Sequence, residues 1–402
     1  MIKIIRKEQC CGCSACLHIC PKRSISFIED KEGFLYPQVD TSTCIDCGLC
    51  EKVCPVLNQD EERKPLQVYA AKHTDDEIRM KSSSGGIFTL LAEHIIDKGG
   101  VVFGARFNEN WEVVHDYTET KEGLAPFRGS KYVQSNIGNS YKQVEDFLKT
   151  GREVMFTGTP CQVAGLKKYL RKDYANLLTV DFVCHGVPSP MVWRKYLEEE
   201  IARQGDDANS VLASSKVSPV VTGVNFRDKS TGWKKFSFVL NFSKASAEGE
   251  QNIVLSSVYT DNAYMNAFLS DLSLRPSCYV CPAKAGKSGA DITIGDFWGI
   301  ENAMRKVDDD KGVSLLIINS ARDCQFSDLG CDVISVDLEA GIGSNLSYRY
   351  SVALPVNRHY FLNYLSSKGF NIALKNTLSH EICHRIARRV YRLINKFRIV
   401  AL

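Results

Sequence analysis

The chain has 402 residues, enough for two or three domains, and its 44% hydrophobic and 24% charged content is that of an ordinary globular protein. A net charge of +3 gives no reason to expect a nucleic-acid partner, and no run reaches the ~18 uninterrupted apolar residues of a membrane span. The charged first eight residues lack the apolar stretch of a signal peptide, so sixteen cysteines point to thiols kept reduced in the cytoplasm.

The chain opens with one cysteine pattern written twice. Cys10, Cys13, Cys16 and Cys20 precede Pro21, and Cys44, Cys47, Cys50 and Cys54 precede Pro55. The pattern C-x2-C-x2-C-x3-C-P is the bacterial two-cluster ferredoxin run, in which three close cysteines hold one cube and the fourth reaches across to the other. Cluster one is therefore assigned to Cys10, Cys13, Cys16 and Cys54, and cluster two to Cys44, Cys47, Cys50 and Cys20. Zinc prefers C-x2-C pairs or Cys/His sets, and neither it nor a disulfide framework fits two identical runs with crossed prolines. Cys11, a further thiol inside the first loop, receives no role.

A ferredoxin-like module is thus expected over residues 1–58 and a charged, proline-ended linker over 59–66. An α/β domain with an antiparallel insertion follows over 67–320, and an α/β and helical extension over 321–402. A strand over 68–72 leads to Ser82, Ser83, Ser84, Gly85 and Gly86, which open a helix over 87–98. Such a start suits a phosphate, and an ordinary serine cap fits it equally well. Strands over 101–106 and 113–117 precede a loop, 127–135, that carries Arg128 and Lys131.

A helix over 140–149 and a strand over 154–157 lead to Gly158 and Thr159, where a helix reaching 170 begins. A strand over 177–183 ends at Cys184, His185 and Gly186, and a Ser-Pro signal starts a helix over 189–204. This rhythm implies ligand-binding turns at the strand ends. Alternating patterns over 220–256 predict an antiparallel sheet. A short helix over 262–269, the DITIGDFWG stretch over 291–299, an apolar strand over 313–320 and a helix over 322–329 follow. Residues 355–402 read as helices.

Cys161 and Cys184 fall at successive strand ends, and Cys278 with Cys281 forms a C-x2-C loop. Together they would complete a third cube, although zinc, a redox-active pair or unrelated core cysteines also fit that spacing. Cys324, Cys331 and Cys383 read as packing residues.

The succession SSSGG (82–86), GSKYVQS (129–135), GTPCQ (158–162), CHGVPSP (184–190), SCYVC (277–281) and ITIGDFWG (292–299) resembles the family of coenzyme F-420 hydrogenase and dehydrogenase beta subunits. The resemblance implies FAD and a third 4Fe-4S cluster on Cys161, Cys184, Cys278 and Cys281, with electrons passing between that cluster and a hydride carrier. It also implies flavin contacts at Ser82, Ser83, Ser84, Gly85, Gly86, Gly129, Ser130, Lys131 and Thr159. His185 is a candidate proton donor or sulfur partner set against a structural histidine, and Asp296 is a turn residue or a flavin contact.

The function expected is an iron–sulfur flavoprotein oxidoreductase, a wire from a redox partner through three clusters to FAD and an unnamed substrate. The alternatives are an electron-transfer component that feeds a separate catalytic partner and a non-catalytic redox sensor. The basic amphipathic stretch 380–402 suits either a membrane surface or a docked terminal helix.

Overall fold

The computed structural model describes residues 1–205, 218–246, 249–321 and 330–379, so the stretches expected to be helical over 322–329 and 380–402, with Cys324 and Cys383, lie outside the described residues. Strands are β1 (Ile25–Glu29), β2 (Leu35–Val39), β3 (Gln67–His73), β4 (Val101–Phe107), β5 (Val113–Thr118), β6 (Val154–Thr157) and β7 (Leu177–Phe182). They continue as β8 (Val220–Asp228), β9 (Ser237–Ser246), β10 (Gly249–Val258), β11 (Ile292–Asp296), β12 (Ser314–Ile318) and β13 (Cys331–Ser335).

Between the two cysteine runs the chain folds into an antiparallel hairpin, β1 with β2, closed by the Asp30–Gly33 turn. The main sheet has the order β13-β3-β12-β11-β7-β6-β4-β5. Its centre, β11-β7-β6-β4, is parallel, and the flanking strands run antiparallel. β4, β6 and β12 are apolar along nearly their whole length because helices cover both sheet faces. Helix Ile87–Asp97 lies on one face through Ile87, Leu90, Leu91 and Ile95. Helices Ser140–Lys149 and Pro160–Leu170 cover the other.

Pro160–Leu170 starts where it does for a local reason. Thr159 and Gln162 form a capping box and Pro160 stands in the first turn, where its missing N–H costs nothing. The expected antiparallel insertion is the three-stranded sheet β8-β9-β10, with its core in Phe226, Phe238, Leu240 and Phe242 packed against Trp193 and Tyr264. β13, which pairs with β3, was not foreseen, since Cys331–Ser335 is only five residues long and lacks a period-two alternation. Helix Arg358–Lys368 and helical residues 370–379 return to the Trp193 core through Phe361, Leu365 and Phe370.

The cysteine-rich module shares its core with the sheet domain. Cys11, Cys13, Ala15 and Val53 pack in one cluster with Phe103, Tyr141, Phe156, Val163 and Leu166. One close approach is at Gly165, where an added Cβ would stand 2.8 Å from the Cys13 Cβ and 2.9 Å from its Sγ. Filling that contact forces the loop or the helix to move. Gly165→Val is therefore expected to cost about 1–3 kcal/mol of stability by overpacking and to speed cleavage in the already exposed stretch 59–66. Anaerobic urea unfolding with limited proteolysis checks this, and an unchanged midpoint with an unchanged digest would show that the module is not held at this point.

Candidate functional site

The structure brings the first eight cysteines into one region, in an arrangement compatible with the two crossed sets. Cys16 lies within electrostatic reach of Cys10, Cys54 and Cys50, and Cys13 within reach of Cys16 and Cys54. Cys20, Cys44, Cys47 and Cys50 line one small cavity beside Pro21 and Ile25. Each remote cysteine thus lies near the opposite run. The first set is largely buried, whereas Cys47 is exposed. The N–H of Ile2 donates to Cys50 Sγ at 3.2 Å and that of Ser24 to Cys20 Sγ at 3.3 Å.

Cys161, Cys184, Cys278 and Cys281 also converge, each within electrostatic reach of the others. Their routes differ. Cys161 stands in the first turn of Pro160–Leu170, Cys184 follows β7, and the turn Pro276–Val280 delivers Cys278 and then Cys281. Burial, reinforced by the charges of its neighbours, pushes the Cys278 thiol up to about 12. A metal must therefore displace protons here. Among the described residues no three His, Cys, Asp or Glu side chains gather as one ion would need. A cube takes one thiolate per iron and spreads its ligands over a larger body.

Cys11 joins the two neighbourhoods. Its thiol is in hydrogen-bonding contact with both Cys13 and Cys161. Nothing in the spacing pointed to this, since a lone cysteine beside a ligand carries no pattern. Two buried cations flank the same region: Arg275 reaches Cys10, and Lys284 Nζ donates to the Cys184 carbonyl at 2.5 Å.

A cleft of about 720 Å³ opens at the carboxyl ends of β6, β7 and β11, within the size range of small-molecule sites. It is lined by Ser82, Ser83, Ser84, Gly86, Gly129, Ser130, Lys131 and Thr159, and also by Cys184, His185 and Asp296. Gly85 is not among the lining residues, because its backbone is pressed against Ala71 and Ser314. The helix Ile87–Asp97 is capped by Gly86, not by a serine side chain. Instead Ser84 Oγ donates to the Val313 carbonyl, and Ser83 Oγ accepts from Ser130 N at 2.7 Å, tying the two loops together.

Lys229 fixes this turn from behind. Its buried ammonium donates to the carbonyls of Arg79, Ser84 and Lys311, each at 2.7 Å, and burial lowers its pKa to about 7. Lys131 is different. It donates only to the carbonyls of Arg128 and Gly129, at 3.0 and 3.2 Å, and burial alone brings it down to about 7. Among the described residues no carboxylate pairs with it. Beside it Gly129, at φ +79°, has no atom within 4 Å of where a Cβ would stand. An underused cation next to bare backbone and a glycine-capped helix start fits an anionic ligand such as a phosphate.

His185 Nε2 contacts Asp271 Oδ1 at 2.6 Å and Nδ1 contacts Ser347 Oγ at 3.4 Å, so both ring nitrogens are engaged. Asp296 is held bidentately by Arg227, at 2.6 and 3.2 Å, and accepts from Trp233 Nε1. A further network runs along the cleft floor. Ser135 Oγ bridges His115 Nδ1 and Gln162 Nε2, each at 2.9 Å, and Gln162 Oε1 accepts from Thr159, whose hydroxyl lies 3.2 Å from Cys161 Sγ. Burial lowers the His115 pKa to about 4, so it stays neutral. Ser135 and Gln162 occur in the motifs quoted above; His115 had no signal beyond an apolar strand.

Two parts of the family described as "Coenzyme F420 hydrogenase/dehydrogenase, beta subunit" match this chain, the N-terminal part over residues 68–141 and the C-terminal part over residues 151–329. Residues 9–58 match the "4Fe-4S dicluster domain". One of the subunits of an F(420)H(2) dehydrogenase from Methanosarcina mazei is 27% identical over 172 residues, covering 40% of this chain and 48% of that protein. "Coenzyme F420-dependent sulfite reductase" of Methanocaldococcus jannaschii is 25% identical over 200 residues, 48% of this chain and 30% of that protein. The matches thus span half or less of these relatives. In the F420-reducing NiFe hydrogenase complex from Methanosarcina barkeri, one chain aligns with 68% of this chain and 83% of its own length, at 19% identity and a TM-score of 0.43. Among the described residues no helix is long and apolar enough to cross a membrane.

The two lysines separate on substitution. Lys229→Met strands buried carbonyls and is expected to cost about 1–3 kcal/mol, whereas Lys131→Met removes an underused cation and leaves the stability of the ligand-free chain unchanged or raises it. Urea unfolding of both variants measures the contrast; equal losses would make Lys131 a structural residue.

Proposed function

The chain belongs to the family of coenzyme F420 hydrogenase/dehydrogenase beta subunits and carries an N-terminal 4Fe-4S dicluster domain, and from that premise we propose an iron–sulfur flavoprotein. It moves electrons between a redox partner and a hydride carrier through three 4Fe-4S clusters and FAD. The observation that supports this most is a continuous series of thiols. The first quartet meets Cys11, Cys11 meets Cys161, and Cys184 of the third quartet borders the cleft.

FAD, when bound, supplies the exchange between a two-electron hydride and single electrons, which a cube cannot perform alone. The chain's own residues hold and orient it. Lys131 and the free N–H groups at the start of Ile87–Asp97 bind phosphate, and the Ser83–Ser130 contact sets the distance between the two loops that supply them. Thr159 and Gln162 orient Cys161 at the cleft floor. Neutral His115 keeps that floor free of added charge.

The relative in Methanosarcina mazei is named as one subunit of a dehydrogenase, which favours a protein partner for this chain as well. An electron-transfer component that hands electrons to a separate catalytic protein is therefore the second reading. Clusters that need reduced thiols suit the cytoplasm.

Anaerobic purification with iron, sulfide and flavin counted per chain tests the proposal. About twelve irons, the sum for three cubes, together with one FAD that is lost in Lys131→Met, is the expected result. About eight irons without flavin would leave the dicluster module alone and overturn it.

A further inference from the structure

We propose that Arg275 is the shared positive charge that links the first cysteine quartet to the third, raising the reduction potentials of both cubes. This rests on the three-cluster reading above and adds to it a residue that ligates nothing.

Arg275 is 1% exposed, yet among the described residues its hydrogen bonds run to no carboxylate. Nε donates to the Cys10 carbonyl at 2.7 Å, Nη2 to the Leu35 carbonyl at 2.8 Å and Nη1 to Gln134 Oε1 at 2.9 Å. Nη2 also lies 3.5 Å from Cys10 Sγ, a ligand of the first quartet. In the other direction the Arg275 carbonyl accepts from the N–H of Cys278, a ligand of the third. One residue thus bonds to a ligand of each set, by its side chain to one and by its backbone to the other.

A buried guanidinium without a counter-charge is costly unless an anion compensates it. Thiolate-ligated cubes would be such anions, and cysteines that would hold them, Cys10 of the first quartet and Cys161 and Cys278 of the third, lie within electrostatic reach of the guanidinium. The rings of Tyr36 and Phe34, 4.5 and 5.3 Å from the guanidinium carbon, keep the site apolar, so charge acts strongly across it. Gly12 shows how close the fit is. A Cβ there would stand 2.8 Å from both Arg275 Nη1 and Gln134 Nε2, and Gln134 in turn donates to the Cys11 carbonyl.

Transfer between the two cubes moves one electron, oxidising one and reducing the other, with no bond or proton changing hands. Reduction adds negative charge, so a fixed cation favours the reduced state of each cube, and cluster potential follows local charge and hydrogen bonds to sulfur. Among the described residues the second quartet, Cys20, Cys44, Cys47 and Cys50, makes no such contact with Arg275.

The test uses the full chain purified anaerobically and EPR-monitored redox titration with dithionite. A wild-type chain holding fewer than about twelve irons overturns the cluster reading beneath this proposal before any variant is compared. With twelve present, Arg275→Met is expected to move two of three midpoints to more negative potential and leave the third in place. Arg275→Lys, which keeps the charge, restores most of that shift. Unchanged midpoints in the loaded Met variant, three midpoints moving together, or no rescue by lysine would overturn it. If the Met variant loses iron, Arg275→Gln, whose shorter side chain places an amide N–H near the position of Nε, keeps a donor toward the Cys10 carbonyl without charge and carries the same expectation. Iron lost from both neutral variants but kept in Arg275→Lys supports a requirement for charge; iron lost from all three overturns it in favour of packing.

Discussion

The contact between the first cysteine loop and the helix Pro160–Leu170 is the constraint on which the rest of the chain depends. Cys13 rests on Gly165, and Cys11 reaches Cys161 at the start of the same helix. For the helix to begin there, β6 must end at Thr157 and the capping box of Thr159 and Gln162 must form. The parallel register of β6 against β7 then brings Cys184 alongside. A shift of one residue in either strand would turn alternate side chains to the wrong face and break the series of thiols.

Charge follows from this geometry. Two groups of thiolates packed into a shared core would repel one another in a medium that screens poorly. Arg275 and Lys284 enter that region as its cations; Lys284 donates to two backbone carbonyls, and Arg275 to two carbonyls and the Gln134 side chain. The cleft uses lysines in two ways. Lys229 is saturated by three carbonyls and holds the serine turn from behind, whereas Lys131 keeps donor capacity for something in the cleft.

Much of this was legible in the sequence because its signals are local. The duplicated cysteine run, the apolar strands β6, β7 and β12 and the Ser-Pro helix start are each written in a few adjacent residues. The convergence of Cys161, Cys184, Cys278 and Cys281 was written only in part, since strand-end positions and a C-x2-C loop left zinc or a redox pair open until the family resemblance joined the four. What escaped was set by contacts distant in sequence. Arg275 lies next to a C-x2-C loop and reads as an ordinary surface arginine until Cys10 and Leu35 are seen beside it. Cys11 and His115 were silent for the same reason. The edge strand β13 had too short and too irregular a pattern to stand out against a loop.

The exposure of Cys47 sets the molecule's weakness as well as its use. A cube held there meets solvent, while one held by Cys10, Cys13, Cys16 and Cys54 lies behind protein. The face through which a donor can approach is then also the face through which dioxygen arrives. Damage would begin at the outer end and travel inward, and because the module and the sheet domain share one core, decay of the inner cube would loosen both. Such a chain would age in air like a fuse, from its solvent-facing thiols toward its inner cleft.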